Sequence, residues 1–463
     1  MKKFRALLPC IALTVTAHIA DAEPISVKAG AEVLHLIRKE KFDLILPGAM
    51  RDNNIEMWIH TIRLADPDPM ALHFGAVSGY IIFTDRGGNR IERAVLGIGG
   101  QPDLYDIFGS PDDLAEFVAE RDPESIAVNT SAWLAVADGI SHSEYLKLES
   151  ALGPKYCSRI ESAENVISDF RVRRTQREII AFANVAEMHR LILERALSNE
   201  VIIPGVTTLG DVGWWVQEEL HKEGLSRGYF LPGERNPHDV TIPRILYTEN
   251  PKAVTAPDVR WWVHYPEYVI QRGDFGTFKF KPIYLNSFTT DYKRNFYVLR
   301  EGETTVPGGI QHAYDRALTA RTIIRKNIKV GETAEDTLRA IVSALEAEAY
   351  IHTPFTNNGK RDYNLVQETI ASSDQSGFTI DLHSMGNNNI ASAVGPSVAP
   401  FRLDRAALKV QQNHIFSLEY QVHTALSERP GYPISINIEG NHIVTSRGVE
   451  WLHPPNARIL LIH

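Results

Sequence analysis

Acidic side chains gather in two β-rich stretches of the C-terminal half, residues 268–299 and 378–444, and each stretch follows a capped helix. Carboxylates brought from both stretches to one centre would be placed to hold a cation or to exchange protons, because close carboxyl groups shift one another's ionisation. Other groups offer less. Ser376, Asp381 and His383 can be written as nucleophile, orienting acid and base, but no strand–turn–helix elbow surrounds the serine. Gly87-Gly88 reads as a turn rather than a phosphate loop, and Met188 belongs to an apolar helical stripe.

The elements that must carry these residues follow from periodicity and punctuation. In the first third, helix and strand alternate. A helix is expected over residues 38–53, a strand over 56–62, a hairpin from 80–85 and 90–98 around Arg86-Gly87-Gly88-Asn89, a helix opened by Ser110-Pro111 and running to about residue 120, and a strand over 124–130. This describes an α/β region without a catalytic signature. The charged run 169–178 then introduces a long helix with Phe182, Val185, Met188, Leu191 and Ile192 at helical spacing, which places a boundary near residue 165. Beyond it, Gly205-Val206-Thr207-Thr208-Leu209 matches Gly331-Glu332-Thr333-Ala334-Glu335 at an offset of 126, and Thr208 with Asp211 and Thr333 with Asp336 both have capping-box spacing. Either the C-terminal half is duplicated, or two helices with common start signals look alike by chance.

Composition bounds the partners. The 463 residues, 44% of them hydrophobic and 23% charged, are enough for a few packed domains. A net charge of −9 disfavours nucleic acid and anionic lipid. Lys2, Lys3 and Arg5 precede an apolar run ending in Ala20-Asp21-Ala22, so residues 1–22 read as a signal peptide cleaved after Ala22. Cleavage removes three basic residues and one acidic residue, taking the charge from −9 to −11, and removes Cys10, so that Cys157 has no partner for a disulfide. The expectation is an exported protein, periplasmic or secreted, with no membrane association after cleavage.

Several separated motifs occur in a telling order: Val269-Ile270-Gln271-Arg272-Gly273-Asp274, Thr290-Asp291-Tyr292-Lys293-Arg294, His383-Ser384-Met385-Gly386-Asn387, Gly395-Pro396-Ser397, Phe416-Ser417-Leu418-Glu419, Ile438-Glu439 and Gly448-Val449-Glu450-Trp451-Leu452. In these motifs the chain resembles the pita-bread metallopeptidase family, which includes methionine aminopeptidase, Xaa-Pro aminopeptidase, prolidase and the metal-free creatinase. The resemblance implies an α+β pita-bread domain over residues 166–463, preceded by an α/β accessory domain over 23–165. It also implies removal of N-terminal residues from peptides, often beside proline, a peptide or small-amide substrate, and a possible homodimer.

Active members of that family hold two divalent ions on two aspartates, a histidine and two glutamates, and the ions activate a shared water. By resemblance Asp291, Glu419 and Glu439 are metal ligands, with Gly440 falling in the last position if the register slides by one. His383 matches a histidine near the substrate, and with Glu419 it forms the catalytic assignment. Two ligands are substituted. Lys279, in Phe278-Lys279-Phe280-Lys281, fills the first aspartate's slot, and Ser392 fills the metal histidine's. Manganese, zinc or cobalt would therefore bind weakly or not at all, since an ammonium repels what a carboxylate attracts. The expected function is an impaired aminopeptidase. Its alternatives are a catalytically silent peptide-binding protein and a metal-free creatinase-like C–N hydrolase. Lys279 is expected to point at Asp291, Glu419 and Glu439, leaving that cluster two charges negative.

Overall fold

The structure is a computed structural model that describes residues 25–65, 67–227, 241–248, 266–354, 359–370, 375–385, 387, 394–428 and 430–463. Its N-terminal α/β region is built on a six-stranded mixed sheet. The strand Met57–Ile62 lies inside the sheet, antiparallel to Ala76–Thr84 and parallel to Ile126–Val128. All six of its residues are buried, as a strand covered on both faces requires. The expected hairpin forms from Ala76–Thr84 and Glu92–Gly99. The first helix differs from expectation: it begins at Val27, where Ser26 accepts a hydrogen bond from the Ala29 amide, and it continues through a π-helical turn, Lys41–Ile45, into Leu46–Arg51. The charged run at 169–178 is likewise divided. Helix Glu164–Val172 ends there, and Thr175 with Glu178 forms a capping box that starts Gln176–Ala196.

The rest of the chain places helices outside curved sheets. Helix Gly308–Lys326 buries Ile310, Ala313, Tyr314, Ala317, Ala320 and Ile324, the spacing of one helical face, against strands that include Ser376–Ser384 and Ile415–Thr424. Those two strands pair antiparallel over eight residues, with His383 opposite Ser417 and Asp381 opposite Glu419. A separate four-stranded sheet runs in the order Leu460–Ile462, Arg294–Val298, Phe275–Phe278, Arg244–Tyr247. No described helix is long and apolar enough to cross a membrane.

The two suspected copies share more than their caps. Gly205 N donates to Ile270 O, and Ile270 N to Thr207 O; in the second copy Gly331 N donates to Val410 O, and Val410 N to Glu332 O. Leu209 N to Tyr268 O repeats as Ala334 N to Leu408 O, and Gly210 N to Pro266 O as Glu335 N to Ala406 O. An order of hydrogen bonds conserved between two distant segments is a tertiary match that two independent capped helices would not be expected to share. The offset is 126 at the glycines but 125 at the caps, Thr208 and Thr333, so the first copy carries one extra residue between turn and helix.

Candidate functional site

Three carboxylates and a lysine reach one place from the strands and the turns beside them. Lys279 follows the strand Phe275–Phe278, and Asp291 lies between Phe288–Thr289 and Arg294–Val298. Glu419 is in the middle of Ile415–Thr424, whereas Glu439 occupies the turn between Ile434–Ile438 and Asn441–Thr445. Backbone bonds fix the crossing point: Lys293 N donates to Glu439 O at 3.2 Å and Leu418 N to Gly440 O at 2.9 Å. Asn441 Oδ1 accepts from the Asp291 amide at 3.0 Å and from the Thr290 hydroxyl, which sets the aspartate's direction.

Lys279 Nζ lies 3.0 Å from Asp291 Oδ1 and 2.6 Å from Glu439 Oε2. It is not alone there. Lys281 Nζ is 3.0 Å from Asp291 Oδ1, and Lys293 Nζ pairs with Glu419, Glu439 Oε2 at 3.1 Å and Asn437 Oδ1 at 3.1 Å. The expected charge of minus two is thereby corrected: three ammonium groups face three carboxylates, and the cluster is neutral when His383 is neutral. The lysine side chains are 12%, 13% and 9% exposed in sequence order, so these pairs are largely withdrawn from water.

Electrostatics follow from burial and then from these partners. Burial alone would raise Asp291, but Lys279, Lys281 and His383 hold it below its ordinary value. Burial likewise opposes ionisation of Glu419, yet Lys293, Lys279 and His383 keep it well below the usual range. Glu439 goes the other way: burial and the charge of Glu419 raise it, against Lys279 and Lys293. Burial would lower Lys279, but Asp291, Glu439 and Glu419 together raise it. Glu439 is therefore the carboxylate that takes up a proton first as pH falls.

The other expected site residues have clear positions. His383 is buried with Nε2 3.7 Å from Glu419 Oε2 and Nδ1 3.4 Å from Ser384 O. Asp291, His383 and Glu439 each offer a ligand atom within 4.8 Å of the others. The glutamate in this group is Glu439, the residue before Gly440. Ser376, Asp381 and His383 do not form a triad: Ser376 bonds Thr424, Asp381 pairs with Arg402, and His383 faces Glu419. Ser392 lies outside the described residues.

Four groups at the site escaped sequence reasoning. Ser417 donates to Glu439 Oε1 at 2.8 Å, and Asn437 accepts from Lys293. Lys281 and Lys293 were legible in principle, since each stands two residues from a residue already singled out, the spacing at which extended residues share a face, although the strands Phe275–Phe278 and Arg294–Val298 do not include them. The signal was masked by the habit of lysines to face water.

Comparison with known proteins places this geometry. The sequence profile of metallopeptidase family M24 matches residues 181–446. No curated protein matches the chain significantly. The X-Pro aminopeptidase from Thermotoga maritima MSB8 is similar in structure with a TM-score of 0.58 at 15% identity, covering 89% of this chain and 99% of that one. The Xaa-Pro dipeptidase from Bacillus anthracis gives 0.56 at 17% identity, covering 93% and 99%, and dipeptidase PepE from Mycobacterium ulcerans 0.53 at 14%, covering 95% and 99%. At these identities the likeness is one of fold.

Proposed function

The chain belongs to metallopeptidase family M24, and from that membership we propose that it is an exported peptide-binding protein of the Xaa-Pro aminopeptidase type whose hydrolytic activity is lost or strongly reduced. The observation that carries this reading is Lys279 seated on both Asp291 Oδ1 and Glu439 Oε2, with Lys281 beside the same Asp291 oxygen and Lys293 on Glu419 and the same Glu439 oxygen. A protonated amine has no vacant orbital, so it can balance carboxylate charge but cannot polarise a carbonyl as a Lewis acid or turn bound water into hydroxide near neutral pH. The donor set does not fit a pair of divalent ions while the lysines are charged.

A silent peptide-binding protein and an impaired peptidase share this site and differ in residual turnover. A metal-free C–N hydrolase would need Glu419 or His383 as a proton acceptor, and Glu419, held low beside Lys293, is a weak base. The purified protein should hydrolyse an Xaa-Pro peptide at least about a thousandfold more slowly than the ordinary enzyme rate of about 10 per second, while calorimetry detects binding of the same peptide. Ordinary turnover would overturn the reading. Turnover of a creatine-like amide would select the metal-free hydrolase instead.

Export is part of the proposal, supported by the basic start, the apolar run and Ala20-Asp21-Ala22. N-terminal sequencing of protein recovered from outside the cytoplasm should begin at Glu23. A chain beginning at Met1 would remove export from the account.

A further inference from the structure

The strand pair that carries His383 and Glu419 has two unlike faces. Ile380, Leu382, Leu418 and Tyr420 pack into the apolar core, so alternation turns Asp381, His383, Ser417 and Glu419 to the opposite, polar face. On that face Asp381 lies directly across from Glu419. On the other edge of the same strand, Ser397 of the short strand Ser397–Val398 lies across from His383. The lateral order is therefore Glu419, then Asp381 with His383, then Ser397, and Arg402 is bonded to both Asp381 and Ser397.

The guanidinium of Arg402 is only partly used. Nη1 donates to Asp381 Oδ1 and, at 3.0 Å, to Ser397 Oγ, and Nη2 donates to Asp381 Oδ2 at 3.1 Å. Asp381 thus takes the end-on pair of N–H groups. The side-on pair, Nε–H and the second Nη2–H, has no acceptor among the described residues. These two N–H bonds run parallel, the fork that a carboxylate meets with both of its oxygens. Water reaches it: the Arg402 side chain is 15% exposed, and its unbonded Nε is not sealed in the interior. The Phe401 ring, 4.7 Å from Cζ, supports the plane of the guanidinium. Arg405, although paired with Asp404, is held below its ordinary value by burial and then by the charge of Arg402, so a further negative charge at Arg402 would ease that repulsion.

We propose that the Nε–Nη2 fork of Arg402 binds a carboxylate of the peptide, which makes Arg402 a specificity-determining residue for peptides that carry a carboxylate close to the segment lying over His383. The proposal rests on the peptide-binding reading above and deepens it. A peptide that starts at the lysine–carboxylate cluster and crosses His383 toward Ser397 arrives at Arg402, and at about 3.3 Å per extended residue one or two further residues bring a carboxylate to the fork. That carboxylate is the C-terminus of a short peptide or an acidic side chain of a longer one, and the fork meets both in the same way. The lysines of the cluster do not compete for it, because their ammonium groups already face Asp291, Glu419 and Glu439.

Titration calorimetry of the full chain with two pairs of peptides tests the proposal and separates the two sources. Ala-Pro against Ala-Pro-amide reads the C-terminus, and Ala-Pro-Asp-amide against Ala-Pro-Asn-amide reads the side chain. In at least one pair the carboxylate member should bind about tenfold or more tightly, as a hydrogen bond between charged groups is worth. Arg402→Lys keeps the charge but loses the fork, so it should cut that ratio at least about threefold. Asp381→Asn should not lower the ratio, because it removes a negative charge beside the fork and leaves Arg402 in place. Equal affinities within both pairs overturn the proposal while the peptide-binding reading stands, whereas no binding of any of these peptides overturns both. The wild-type comparison decides the matter even if a variant fails to fold.

Discussion

An ammonium group and a divalent cation compete for the same carboxylate lone pairs, but only the ion brings a second charge and open coordination positions. Lys279 contacts two of the three carboxylates, so Lys279→Met leaves Asp291 and Glu439 buried with reduced compensation. The expected cost is about 3–5 kcal/mol of stability in urea unfolding, the range for breaking a buried pair. Added manganese or zinc should recover part of it through Asp291, His383 and Glu439. A cost below about 1 kcal/mol, the value of an exposed pair, would show that the lysine carries no such load. The pH dependence has a definite sign. Asp291 and Glu419 are depressed in the folded state, so their contribution is full above the ordinary carboxylate value of about 4 and fades as pH falls below it. Lys279 is raised, so its contribution is full below about 10.4, fades as pH rises further, and disappears in the variant.

At the scale of elements, the duplicated frame sets where the strands converge. Thr208 and Thr333 each accept from an amide three residues on, Asp211 N at 3.0 Å and Asp336 N at 3.1 Å. Thr208→Ala and Thr333→Ala should each cost about 1 kcal/mol, the usual value of a lost N-cap. A negligible loss at either position would mean that the two copies no longer share this support. The caps were legible in the sequence because cap and first-turn acid stand only three residues apart, although Thr208 with Asp211 forms the full reciprocal box and Thr333 gives its hydroxyl to Asp336 instead. The π-helical turn at Lys41–Ile45 was not legible, because no residue type announces it. The ion pairs at the site were partly hidden for a different reason. Lys293 meets Glu419 across 126 positions of sequence and Lys279 meets Glu439 across 160. Only the motif order suggested that these strands approach, and it said nothing of which charges would balance.

At the scale of the whole molecule, the family match covers residues 181–446, while the fold likeness to the aminopeptidase and dipeptidases spans 89–95% of the chain. The N-terminal region is therefore part of the shared architecture even though the family profile begins after it. We place the boundary near residue 165 as a proposal. Helix Glu164–Val172 packs its Val166, Ile167 and Phe170 into the N-terminal core, and Val394 from the later domain joins the same cluster, so the two parts share apolar packing at their junction.

The central claim is that protonated lysines, rather than metal ions, balance the carboxylates of this family centre. Its most direct test is elemental analysis of the purified protein after dialysis against buffer containing manganese, zinc or cobalt and then against metal-free buffer. With Lys279, Lys281 and Lys293 on the carboxylate oxygens, less than one tight divalent ion per chain is expected, and chelator should leave the unfolding temperature unchanged. Two tightly held ions per chain would contradict the account and return the protein to two-metal peptide hydrolysis.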